Sequence, residues 1–243
     1  MSSRFITNGG SPGGSRGRRV PQMLATLAIV AVAILAFSFY VGRNVGSTPG
    51  TAPTPTPGTA VSAPPCGSLS FGPVLTPTAG NAGKKSFSAP PPMTINTAHH
   101  FLATIVTAKG TITLCLDPAL APITVNNFVF LARNQFYDGL KFHRVVAGFV
   151  IQGGDPLGTG TGGPGYKFND EPVQGEYTAG AVAMANSGAN TNGSQFFIVA
   201  ANQTGKLAKS YNLFGYVQTG MDVVLKIVQG DVMSSVTVQE QTG

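Results

Sequence analysis

The stretch KFHRVVAGFVIQGGD, Lys141 to Asp155, poses the question on which the reading of this chain turns. Two short, mainly apolar runs, Phe142–Val146 and Val150–Gly153, are parted by Ala147, Gly148 and Phe149. That is the pattern of two short strands joined by a tight connection. Arg144 sits inside the first run. A guanidinium among apolar side chains is costly unless it is paired or its charge is used. Arg144 therefore either meets a carboxylate or faces a pocket.

The flanking sequence sets the fold class. HFLATIVTAKGTITLCLD, His100 to Asp117, reads as two strands joined at Lys109-Gly110, with Ile112, Leu114 and Leu116 alternating. From Ala121 to Gly139 the spacing becomes helical, with Val125, Phe128, Val129 and Ala132 on one face and Pro122 in the first turn. Further strands are expected at Ala181–Ala185, Gln195–Val199, Leu213–Val217 and Val236–Gln239. A second helix is expected over Met221–Val228, with Val223, Val224, Ile227 and Val228 inward. Many short strands and two helices predict an all-β domain, a closed antiparallel barrel capped at its ends, over residues 95–243.

The sequence upstream is of another kind. The net charge of +6 belongs to it: residues 1–94 hold seven basic residues and no acid, and the remainder has eight basic residues against nine acids. The domain thus has no charge excess for phosphate, which excludes nucleic acid as its main partner. After a basic tail, residues 1–22, comes MLATLAIVAVAILAFSFYV, Met23 to Val41, 19 residues without a charge. As a helix it spans roughly the 30 Å of a bilayer core. Arg16, Arg18 and Arg19 before it place the N-terminus in the cytoplasm and the domain outside, as a single-pass signal-anchor. The alternative is a cleaved signal that leaves the domain secreted. Residues 42–94 carry most of the prolines and no acid, and are expected to form a semi-extended extracytoplasmic linker. The two cysteines, Cys66 and Cys115, form a disulfide in an oxidising compartment or remain two thiols with Cys115 buried in a strand.

Motifs for other chemistry are weak. GTGTGGPG, Gly158 to Gly165, contains G-x-G-x-x-G, but Pro164-Gly165 follows where a phosphate-binding helix would start, so it reads as a surface loop. No His, Cys or acid cluster has metal-ligand spacing, and no G-x-S-x-G elbow appears. Asp155, Asp170 and Glu171, among loop glycines, read as solvated or capping. Rotation about an X–Pro bond needs neither nucleophile nor metal, only a grip on the ring and a donor for the nitrogen of the twisted amide. An arginine in an apolar strand pair suits it.

FHRVVAGFVIQGGD resembles the signature of cyclophilin-type peptidyl-prolyl isomerases, and the resemblance continues through GTGTGGPGYKFNDE, MANSGANTNGSQFFIV and NLFGYV, covering about His99 to Glu240. It implies an eight-stranded closed barrel with two capping helices, no cofactor, and proline-containing peptides and unfolded exported proteins as partners. By the same resemblance Arg144 is the catalytic arginine and Gln152 orients it. Phe149, Val150, Phe197, Leu207 and Tyr211 line the proline pocket; Ala185, Asn186 and Gln195 hold the peptide beside it. Phe196 and His143 read as structural. Val150 replaces a usual methionine, Ala147 a proline and Tyr211 a histidine. Lys206 stands where many members have the tryptophan that helps bind cyclosporin, which implies weak inhibition by that drug. The rival reading is a module that binds proline-containing segments with little turnover.

Overall fold

The computed structural model describes residues 65–243. The expected basic tail, the membrane segment 23–41 and the first part of the linker lie outside the described residues. Among the described residues no helix is long and apolar enough to cross a membrane.

The strands are β1 (Phe71–Val74), β2 (Phe101–Thr107), β3 (Gly110–Leu116), β4 (Arg144–Val146), β5 (Val150–Gly153), β6 (Ala181–Met184), β7 (Phe196–Val199), β8 (Leu213–Thr219) and β9 (Met233–Gln241). Among the described residues two α-helices accompany them, α1 (Pro122–Arg133) and α2 (Met221–Val224). All pairings are antiparallel, in the order β1-β9-β2-β3-β8-β6-β7-β5-β4. Two expectations are corrected. The sheet has nine strands rather than eight, and its ladder is not closed by hydrogen bonds. β4 is only three residues long, and the chain before it meets the start of β9 at a single bridge, Lys141 to Val232. The second helix ends at Val224, and Val228 is 53% exposed rather than inward. There the Asp231 carboxylate accepts the Val228 N–H at 2.9 Å, and the chain turns at Gly230.

The interior is filled from both sides. Phe128 of α1 stacks on Tyr137 at 4.9 Å and meets Phe196 edge-on at 5.4 Å. β6 and β7 are buried along their whole length, and period-two alternation divides their side chains between two clusters. Val182, Met184, Phe196 and Ile198 join the interior. Ala181, Ala183, Phe197 and Val199 form a second apolar cluster on the outer face, together with Val150, Tyr177 and Leu213.

Residues 65–94, which the sequence assigns to the linker, are laid on this domain as a strap. Cys66 and Cys115 form a disulfide with Cα atoms 5.6 Å apart. β1 pairs with β9 at the sheet edge, the place in a sheet that tolerates Pro73. The Thr78 N–H and hydroxyl donate to Asn134 Oδ1 at 2.9 and 2.8 Å. Beyond α1, the Lys85 ammonium donates to the carbonyls of Gln135, Phe136 and Asp138. Its cation ties the strap to carbonyls of the turn that follows α1. The Thr94 N–H donates to Asn126 Oδ1 at 3.0 Å. Apart from one 3-10 turn, Pro65–Ser68, the proline-dense strap forms no helix and is anchored by its side chains.

Candidate active site

Arg144 of β4 lies opposite Gln152 of β5, which lies opposite Phe197 of β7. Directly opposed residues share a face, so this row stands on the outer side of the sheet, with Phe197 in the outer apolar cluster. Arg144 Nη1 donates to Gln152 Oε1 at 3.3 Å. Gln152 Nε2 donates to Gln195 Oε1 at 3.0 Å. Gln195 Nε2 donates in turn to the carbonyls of Gly160 and Gly162, at 3.0 and 2.9 Å. No carboxylate among the described residues forms an ion pair with Arg144. Of the two options the sequence leaves, the carboxylate is not the one found: Arg144 is bonded to Gln152 beside the outer apolar cluster. Burial lowers the guanidinium pKa and the nearby Tyr211 opposes that shift; a guanidinium remains a cation at neutral pH. Its Cζ lies 5.8 Å from the centroid of the Phe149 ring.

Around this row the outer cluster gathers six of the sequence-assigned residues: Phe149, Val150, Ala185, Phe197, Leu207 and Tyr211. Phe197 and Tyr211 meet edge-on, ring centroids 5.5 Å apart. Gln195 is tied to Arg144 through Gln152 rather than belonging to the apolar wall, and its carbonyl accepts the Ala185 N–H at 2.9 Å. Asn186, the next residue, is fixed by its side chain, which donates to the Ser210 carbonyl at 2.8 Å and accepts from the Gly188 N–H at 3.3 Å. Phe196 points into the interior. The arrangement is an apolar cluster with one cation beside it, held by Gln152, which Gln195 holds in turn.

Three contributors had no clear signal in the sequence. The Tyr177 hydroxyl donates to the Tyr211 carbonyl at 2.7 Å and accepts from the Tyr211 N–H at 3.1 Å, which fixes the backbone of a wall residue. A lone tyrosine in a polar loop carries no periodicity that could have found it. The glycine stretch Gly158–Gly165 is the acceptor that orients Gln195, beyond the surface loop its sequence suggests. Asp155 organises that stretch: 1% exposed, it accepts the N–H groups of Leu157, Thr159 and Gly160 at 2.7, 3.0 and 2.5 Å. It is a buried cap and not a solvated acid. Glu171 likewise caps α1, accepting the N–H groups of Ile123 and Thr124 at 2.9 and 2.8 Å. His143 is half-buried, and desolvation lowers its pKa against the pull of Asp155 and Gln195. It is therefore neutral at pH 7. Among the described residues no group of three His, Cys, Asp or Glu side chains could hold a metal ion.

Known proteins resemble this chain in sequence and in fold. The family model described as cyclophilin type peptidyl-prolyl cis-trans isomerase/CLD matches residues 102–242. A peptidyl-prolyl cis-trans isomerase of Helicobacter pylori is 46% identical over 138 residues, covering 55% of this chain and 84% of that protein. Peptidyl-prolyl cis-trans isomerase B of Bacillus subtilis is 50% identical over 126 residues, covering 51% of this chain and 87% of that protein. Among solved structures, a Cryptosporidium parvum cyclophilin type peptidyl-prolyl cis-trans isomerase matches with a TM-score of 0.54 and 30% identity, over 58% of this chain and 97% of that one. The same protein's structure in the presence of the dipeptide Ala-Pro matches with a TM-score of 0.50 and 29% identity, over 58% and 99%.

Proposed function

Because the chain belongs to the cyclophilin-type peptidyl-prolyl cis-trans isomerase family and is an isomerase of X–Pro bonds, we propose that it works by binding the twisted amide through Arg144. Twisting the X–Pro bond breaks amide resonance, and the prolyl nitrogen becomes a hydrogen-bond acceptor. A guanidinium aimed at that nitrogen binds the twisted state more tightly than either planar form, which is the condition for catalysis. The observation that carries this reading is the row Arg144–Gln152–Gln195 beside the apolar cluster. Phe149, Val150, Phe197, Leu207 and Tyr211 grip the ring and exclude water. Ala185, Asn186 and Gln195 hold the preceding peptide. An Ala-Pro dipeptide accompanies the related Cryptosporidium structure, and a proline-containing segment is the ligand that this cluster suits. One charge-assisted hydrogen bond is worth roughly 1.5–3 kcal/mol, or about ten- to a hundred-fold in rate. Arg144→Ala should slow cis-to-trans isomerisation of a short X–Pro peptide by that factor or more. An unchanged rate would refute the role given to Arg144 and return the groove to the reading of a proline-binding module.

The setting proposed is extracytoplasmic. Residues 23–41 anchor the chain in the membrane, residues 1–22 stay in the cytoplasm, and the clients are exported proteins. Signal cleavage and secretion is the alternative. Carbonate-resistant association of the full chain with membranes, abolished by deleting 23–41, is the expected result; extraction of the intact chain would rule the anchor out. With Lys206 in place of the family's usual tryptophan, cyclosporin should inhibit weakly, and a nanomolar inhibition constant would contradict that.

A further inference from the structure

The strap lies outside the matched family region, which begins at residue 102, yet it touches the active-site loop. The Phe87 N–H donates to the Pro164 carbonyl at 2.7 Å. At Gly165, with φ +93°, a Cβ would lie 2.4 Å from the Phe87 carbonyl oxygen and 2.6 Å from Ser86 Oγ. The two backbones are therefore in direct contact, at a position where a side chain could not be fitted. The Phe87 ring is anchored edge-on against Phe130 of α1, centroids 5.0 Å apart. Two residues before Pro164 stands Gly162, whose carbonyl holds Gln195.

The loop needs fixing at both ends. Gly158 and Gly160 adopt positive φ, and glycines confer little stiffness of their own. Asp155 gathers the loop's amides at its entry. At its exit the strap supplies the hold. We propose that the strap is a brace for the active site: Phe87 is a positioning residue that keeps Gly160 and Gly162 seated on Gln195, and through Gln195 and Gln152 keeps Arg144 aimed. Residues outside the shared family region thereby belong to the catalytic apparatus of this chain. The inference rests on the role given to Arg144 above.

The test uses the full chain, with kcat and KM measured on one X–Pro peptide and amide exchange followed at Thr159 and Gly160. Phe87→Ala should lower kcat by about three- to tenfold, less than loss of the arginine itself, with KM nearly unchanged and exchange faster at both amides. Phe87→Leu, which keeps an apolar anchor, should show the same split at smaller amplitude and carries the test if the alanine variant does not fold. Leu75→Ala is the control: Leu75 packs against the core and its N–H bonds to Val238, with no tie to the loop. It should change neither kcat nor the exchange at Thr159 and Gly160. Wild-type kcat and exchange in both Phe87 variants would overturn the brace, and so would an equal fall in kcat for Leu75→Ala. Full activity in Arg144→Ala would instead refute the arginine role, while loop exchange in the Phe87 variants would still decide whether the strap holds the loop.

Discussion

Tyr177→Phe removes one oxygen atom and should loosen one side of the apolar cluster proposed to grip proline. Tyr177 is 1% exposed, and its hydroxyl serves both backbone groups of Tyr211, as donor to the carbonyl at 2.7 Å and acceptor from the N–H at 3.1 Å. Two neutral hydrogen bonds contribute about 1 kcal/mol each net, so the expected loss is about 2 kcal/mol. Much of it should fall on the segment that carries Leu207 and Tyr211, because segments open locally at less than the global cost. If about 1.4 kcal/mol is lost there, binding of an X–Pro peptide weakens about tenfold. The assay is urea unfolding, read as a lower midpoint at constant slope, beside KM for a short X–Pro peptide. Alkaline pH gives a second arm. Burial pushes the Tyr177 pKa up to about 12, against the lowering effect of the N–H that Tyr211 donates to its oxygen. With the folded pKa above the ordinary value of about 10, this group's contribution is full below pH 10 and lost as pH rises through about 12. Tyr177→Phe should therefore show a shallower alkaline loss than wild type. A stability change under about 0.5 kcal/mol together with an unchanged KM would refute the reasoning.

Two further outcomes are expected. Desolvation pushes the Asp155 carboxyl up, but the N–H groups it accepts from the loop outweigh that and hold it below its ordinary range. A depressed folded pKa means stability that is present above about pH 3.9 and lost as pH falls through the folded value. Asp155→Asn should cost about 2–4 kcal/mol at pH 7 and flatten the acid limb; an equal loss at pH 7 and pH 3 in denaturant unfolding would count against it. The Cys66–Cys115 bridge spans a sequence separation of 49 residues and is worth about 4 kcal/mol in the chain-entropy model. The doubly substituted Cys66→Ser, Cys115→Ser protein should lose about that much in urea unfolding, and a loss below about 1 kcal/mol would set that model aside for this strap.

Short-range pattern carries part of this fold. Alternation placed β2 and β3, helical spacing placed α1, and the run from Phe142 to Asp155 exposed an arginine with no apolar reason to be there. Motifs in register then supplied the family and most of the residues around the pocket. Tertiary structure alone decided how these parts engage. FFIV, Phe196 to Val199, is uniformly apolar, so nothing local says which members face inward; the register of β7 on β5 and β6 sends Phe197 outward and Phe196 into the core. Val228 continued a helical pattern, but Asp231 and Gly230 ended the helix before it. The glycine loop's hold on Gln195 and Tyr177's hold on Tyr211 each span more than 30 residues of chain, and Phe87 reaches Pro164 across more than 70. Periodicity reports which face a residue takes within its own element. Whether a carbonyl from one loop arrives beside an amide from another depends on where the whole sheet brings those loops, and that information is distributed over every strand pairing between them.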